Sequence, residues 1–301
     1  MKHWPILIRR ELWEHRALWI APLVVSAVIV LVSSLVGHTN VGYENPVFSG
    51  NIFEMVIVTI SVPLYVTAGI LVITYFLDCL YADRRDRSVL FWKSLPVSDT
   101  TTVLVKFTVG LVLLPLATYV LAAVTGLLVE VISQARFTAS VTQAVPPPWV
   151  LSEWLRVQGV LLYGLVAALL WYAPYAAYLM LISAWARRSV YAWAFIPPVL
   201  IALLEHLLLG TNFFGGVVTR GFGEIMRLAF NLGHEINISI GSVFGQGQHP
   251  GPGGPGSARM ALDHPPDPSV LLHSPPLWFG LLATVLMLWV AIRLRRYRDE
   301  S

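Results

Sequence analysis

Apolar residues along this chain gather in long unbroken runs, without the strict alternation of a half-buried strand or the single apolar stripe of a soluble helix. Six runs are long enough to cross about 30 Å of hydrocarbon at about 1.5 Å of helix rise per residue. They cover roughly 18–36, 55–80, 104–129, 159–186, 190–209 and 277–293. Only Arg187-Arg188-Ser189 separates the fourth from the fifth, which predicts a tight helical hairpin. Between the third and fourth lies Ala144-Val145-Pro146-Pro147-Pro148-Trp149, which cannot be continuous helix. The longest non-spanning region, 210–276, has two parts. Its first part, to Phe244, predicts short helices dipping toward the membrane, and its glycine- and proline-rich tract at 245–256 predicts a flexible loop. The expected fold is an all-α membrane protein, a single domain over 1–301 with six transmembrane helices.

The segment before the first run, 1–17, has a different pattern. Trp4, Ile8, Leu12, His15 and Trp19 recur at helical spacing, Pro5 suits a first turn, and Arg9, Arg10, Glu11, Glu14 and Arg16 take much of the remaining surface. This predicts an amphipathic helix lying in the membrane interface. The alternative is a basic, tryptophan-rich flank to the first span.

Composition agrees with a lipid environment: 56% of the residues are hydrophobic, 12% are charged and the mean hydropathy is +0.68. A net charge of +3 and a pI near 9.1 would suit an acidic partner, but the basic residues sit between apolar runs, so nucleic acid is not expected. The basic start resembles a signal peptide. Its apolar stretch is span-length, however, and Ser33-Ser34-Leu35-Val36-Gly37 offers no small-x-small cleavage site, so a retained first span is expected. Of the 20 lysines and arginines, only Arg136, Arg156, Arg220, Arg227 and Arg259 fall on one side of the six runs. By the positive-inside rule, the other side, with both termini, is cytoplasmic. The single cysteine, Cys79, permits neither an internal disulfide nor a cysteine-based zinc site.

The loop at 81–99 joins the second and third runs. Asp83, Arg84, Arg85, Asp86 and Arg87 form a dense run of both signs as the second span ends. Ser88 then caps a short helix, Val89 to Leu95, stopped by Pro96, and Ser98 or Asp99 caps the third span. Phe91 and Trp92 on that short helix, between charged flanks, make a docking knob. The alternative is a basic loop whose aromatics sit at the lipid surface.

This order of features resembles the permease subunits of ABC type-2 transporters: an acidic-arginine cluster, a short hydrophobic helix ending Ser94-Leu95-Pro96-Val97-Ser98, and then Lys106 early in the third span. The amphipathic start, the six spans and the large outer loop before the last span extend the resemblance over essentially the whole chain. One departure is Arg87-Ser88-Val89, where many relatives carry glycine and threonine. The resemblance implies a bacterial inner-membrane exporter in which Asp83 to Val97 is the coupling element. That element would dock on a separate ATP-binding cassette subunit, with Phe91 and Trp92 as anchors, Arg84, Arg85 and Arg87 as charge partners, and Arg187-Arg188 as a second contact. It also implies a second permease chain, identical or paralogous, and places ATP and magnesium in the partner subunit, with no cofactor in this one.

Motifs for catalysis within the chain are missing. There is no Gly-x-x-x-x-Gly-Lys-Ser/Thr loop, no His-Glu-x-x-His pair (His234-Glu235 lacks the second histidine) and no Gly-x-Ser-x-Gly elbow. Polar residues at membrane depth are functional candidates because burying them is costly. Asp78 and Glu130 lie near the ends of their spans. Glu205 and His206 follow Pro197-Pro198, a pair expected to break the fifth span and open its backbone toward a transport pathway. Pro63, Pro115 and Pro174 mark expected kinks. Two other functions remain open at this point: a non-transporting anchor or sensor subunit of an ABC complex, and an intramembrane enzyme using Glu205, His206, His234 and Glu235. The apolar, aromatic span faces suit an amphipathic peptide, a lipid-like molecule or a hydrophobic drug as cargo.

Overall fold

The structure is a computed structural model and describes residues 4–35, 52–85, 98–137, 151–186, 188–211 and 268–298. The short helix expected at 89–95, the region 212–267 and the glycine-proline tract at 245–256 lie outside the described residues. Every regular element among the described residues is helical. In chain order these are α1 (Trp4–Glu14), α2 (Ala17–Leu35), α3 (Ile52–Arg85), α4 (Asp99–Thr108), a π-helical turn (Val109–Leu113), α5 (Leu114–Phe137), α6 (Leu151–Trp185), α7 (Val190–Leu209), α8 (Pro268–Leu272) and α9 (Pro275–Arg298).

Six helical stretches are long and apolar enough to cross a membrane: Ala17–Leu35, Ile60–Arg85, Asp99–Ile132, Trp154–Trp185, Val190–Leu208 and Pro275–Arg296. They coincide with the six apolar runs of the sequence, the architecture of a multi-pass membrane protein. The third joins α4, the π-helical turn and α5 into one span. The outer surface is correspondingly apolar. Leu23, Val24, Val28 and Leu31 on α2, and Phe195, Val199, Leu203 and Leu207 on α7, are all exposed, as expected where the solvent is hydrocarbon.

The bundle is built around α3 and α6. α9 packs along α6, α5 packs on α3, and α2 covers both α3 and α5. The main core joins Phe76, Cys79 and Leu80 of α3 to Val103 and Val105 of α4, Met180 of α6 and Leu7 of α1. Small residues allow close approach, as is usual where helices meet in lipid: α6 contributes Ala176, Ala177 and Ala184, and α9 contributes Ala291. Of the described glycines the most tightly packed is Gly110 in the π-helical turn, where a Cβ would come within 2.6 Å of the Phe76 ring and 2.8 Å of the Tyr75 ring. Buried hydroxyls add a directional tie, as Ser26 of α2 meets Thr125 of α5 at 2.7 Å.

Local chemistry explains most element ends. Ser98 caps α4, its hydroxyl accepting from the Thr101 N–H at 3.2 Å, while Asp99 stands in the first turn. The predicted hairpin between the fourth and fifth spans is present, and Ser189 makes the reversal in the left-handed region (φ 50°). Gly210 (φ 63°) closes α7, its N–H donating to the His206 carbonyl.

The break expected at Pro197-Pro198 does not occur: α7 is one helix from Val190 to Leu209. A proline at 198 cannot donate to the Ala194 carbonyl four residues earlier. The Tyr178 hydroxyl of α6 donates to that carbonyl instead, at 3.1 Å, so the freed acceptor is satisfied by a neighbouring helix. Pro63 and Pro174 likewise lie inside continuous helices, whereas Pro115 is the second residue of α5, in the turn that follows the π-helical segment.

Candidate functional site

Lys106 is the only lysine in a described span, and its burial governs one end of the bundle. It is 0% exposed, among Glu11 at 2%, Asp83 at 3% and Arg295 at 8%. An ammonium has three protons to place. Here they meet the Glu11 carboxylate at 3.0 Å, the Cys79 carbonyl at 2.9 Å and Asp83 Oδ1 at 3.4 Å. The second Asp83 oxygen pairs with Arg295 Nη1 at 3.2 Å, and Arg295 Nε pairs with Asp99 Oδ1 at 3.4 Å. The Tyr75 hydroxyl lies 3.2 Å from both Glu11 Oε2 and the Lys106 carbonyl, placed to donate to either, and His15 meets the Tyr75 ring edge-on.

This network joins four separate elements. Glu11 comes from α1, Asp83 from the end of α3, Lys106 and Asp99 from α4, and Arg295 from the end of α9. Its four most buried members, two acids and two bases, cancel in charge. Burying an unpaired ion costs several kcal/mol, so each member requires the others in place. Its strongest consequence is therefore for geometry: the ends of three spans and the α1 helix are held in a single register. Arg295 touches Asp83 just before the loop 86–97 and Asp99 just after it, so both stems of that loop are clamped to the last span.

A second tie lies alongside. The Ser183 hydroxyl of α6 accepts from the backbone N–H groups of Leu80, at 3.2 Å, and Tyr81, at 3.0 Å. The Arg84 guanidinium donates to the Ser183 carbonyl and, at 2.9 Å, to the Ala186 carbonyl. It thereby occupies carbonyls left open at the end of α6, where a cation is also favoured by the helix dipole.

These positions revise several expectations. Glu11 was assigned to the polar surface of the first helix, but the buried side of α1 carries Leu7 and Glu11, with Trp4 and Ile8 half-buried, while Trp19 is exposed. The face tilts because Glu11 is drawn inward by Lys106. Asp83, expected as a docking residue, is buried, with its carboxylate between Lys106 and Arg295. Arg84 turns back onto α6, while Arg85 and Arg188 are exposed at the same end. Asp86, Arg87, Phe91, Trp92, Pro96 and Arg187 lie outside the described residues.

Glu205 and His206 sit together near the end of α7. Glu205 is half-buried and accepts from the Thr211 hydroxyl at 2.8 Å, while His206 is exposed. With α7 unbroken, the structure does not gather them with Pro197 and Pro198 into one polar site. Among the described residues, no group of three His, Cys, Asp or Glu side chains is placed to hold a metal ion.

Two members of the network, Glu11 and Arg295, were missed in the sequence. A usable signal was Lys106 itself: a lysine inside an apolar span calls for a buried acid. Spacing along the chain does not say which acid, and Asp83 and Arg295 stand 212 positions apart. No protein-family model, curated protein or solved structure matches the chain.

Proposed function

We propose that this chain is the membrane-spanning permease subunit of an ABC type-2 transporter, an exporter of a bacterial inner membrane with both termini cytoplasmic. The observation that carries the reading is the clamp on the loop between the second and third spans. Arg295 holds Asp83 and Asp99 on the loop's two stems, and Lys106 ties the same stems to α1. A displacement imposed on residues 86–97 is thereby delivered to the second, third and sixth spans and to α1 together. A transporter driven by a separate subunit needs this mechanical property. The cluster at Asp83 to Arg87, the Ser94-Leu95-Pro96-Val97-Ser98 stretch and Lys106 support the family assignment.

In this scheme Phe91 and Trp92 seat in an ATP-binding subunit, which holds the ATP and magnesium. Arg85, Arg87, Arg187 and Arg188 meet its acidic surface. Two permease chains pair, and closure of the two ATPases biases them from inward-facing to outward-facing. The cargo is amphipathic or apolar, in keeping with the spans.

The test is co-purification with an ATP-binding cassette subunit encoded next to this chain, followed by ATP hydrolysis and transport in nanodiscs. The expected result is a complex whose hydrolysis is coupled to transport, and Phe91→Ala with Trp92→Ala abolishes the coupling while the membrane chain stays folded. Full coupling in that double variant would overturn the docking assignment. Transport without any ATPase subunit would overturn the whole reading.

A further inference from the structure

A groove of about 950 Å³ opens on the lipid-facing side of the bundle, between the elbow joining α1 to α2 and the third span. Its walls are apolar, with Leu12, Trp19, Leu113 and Ala117 among them, and Trp13 and Arg16 stand at one end. Along the third span the lining runs from Val109 to Val124, about 22 Å of helix at about 1.5 Å per residue. That length matches half of a bilayer measured with its headgroup region, about 20–22 Å.

The charged end has an unusual state. Arg9 and Arg16 each place a guanidinium 5.9 Å from the centroid of the Trp13 ring. Neither has a carboxylate partner among the described residues, whereas Arg10 between them pairs with Glu14 at 3.2 Å. Two guanidinium groups thus stand over one exposed indole at the mouth of an apolar groove one leaflet deep. The Trp19 indole N–H is already used by the Leu12 carbonyl, at 3.3 Å, which fixes the elbow and holds the groove's shape.

We propose that this groove binds an anionic phospholipid, its phosphate held by Arg9 and Arg16 over Trp13 and one acyl chain laid along Leu113 and Ala117. Charge selects the headgroup and length selects the chain. Arginine suits a phosphate because its planar fork donates two parallel hydrogen bonds. The inference rests on neither the proposed transport activity nor which side of the membrane this end faces. Its consequence concerns α1: a lipid seated there braces the helix that carries Glu11 to Lys106.

The experiment is native mass spectrometry of the full chain released from micelles carrying phosphatidylglycerol or phosphatidylcholine with the same acyl chains. Glycerol 3-phosphate serves as a probe with the headgroup and no chain. The expected result is preferential retention of phosphatidylglycerol. In the Arg9→Gln, Arg16→Gln double variant that preference falls by about tenfold or more. Ala117→Phe, which fills the groove, lowers retention of both lipids, and glycerol 3-phosphate does not compete. Equal retention of the two lipids, or an unchanged preference in the arginine variant, overturns the proposal. So does competition by glycerol 3-phosphate, which marks a free-anion site. A dimer that shields Trp13 without lipid overturns it in favour of a second copy of the chain. Far-UV circular dichroism checks folding, and Ala117→Leu replaces Ala117→Phe if the larger ring disrupts the helix.

Discussion

The two ends of span chemistry in this protein are handled in opposite ways. Where α1, α3, α4 and α9 meet, charge is drawn into the interior and fully paired, with Lys106 at 0% exposure. Along α7, the helix that carries Glu205 and His206, the surface is almost all exposed hydrocarbon, and it meets the bundle through few side chains, among them Val190, Ala194 and the Tyr178 hydroxyl. Polar residues inside a span therefore do not announce the same thing each time. In the first region they fix register among four elements. In the second they sit at a helix end, where Glu205 satisfies its carboxylate locally with Thr211.

The comparison is broken most directly at Lys106. Lys106→Met leaves Glu11 and Asp83 buried without their ammonium, and a loss of about 3–5 kcal/mol is expected, seen as a large drop in the thermal unfolding midpoint in micelles. Adding Glu11→Gln, which leaves Asp83 paired with Arg295, should recover much of the loss. If the single variant unfolds like the parent, the network holds nothing together. Gly110→Val comes next, because its side chain must displace the Phe76 and Tyr75 rings. About 1–3 kcal/mol is expected, read by the same unfolding curve.

Tyr178→Phe sharpens the other side of the comparison. It removes the donor to the Ala194 carbonyl beside Pro198, at an expected cost of about 0.5–1.5 kcal/mol, and amide hydrogen exchange should rise in α7 while α3 stays protected. The smallest effect is expected for His206→Ala, with no measurable change in unfolding midpoint, since the imidazole is exposed and ties no other helix among the described residues. A large shift there would mean that α7 carries more of the structure than its contacts indicate.

The sequence revealed the six spans because a lipid solvent demands about twenty consecutive apolar residues, a signal few other structures produce. It also revealed the cap at Ser98 and the hairpin at Arg187-Arg188-Ser189, since both depend on neighbours in the chain. What it concealed was partnership across the bundle. The first helix was expected, but its buried side was misjudged, because a periodicity argument places every glutamate outward and cannot see a lysine 95 positions away. The break at Pro197-Pro198 was misjudged for the same reason: the hydroxyl that satisfies Ala194 belongs to another helix. The loop residues expected to carry docking, from Asp86 to Val97, lie outside the described residues.

The pair formed by Asp83 and Arg295 also imposes an order in time. Their 212-position separation corresponds to about 10–40 s of synthesis at about 5–20 residues per second. Until α9 is made, Asp83 and Asp99 both lack their contacts with Arg295. The network is thus completed by a helix made long after α3 and α4, and a chain ending before Pro275 should show faster amide hydrogen exchange at the end of α3 and the start of α4 than the full chain. A copy interrupted before α9 thus carries its defect at the same end of the bundle where its charges are buried.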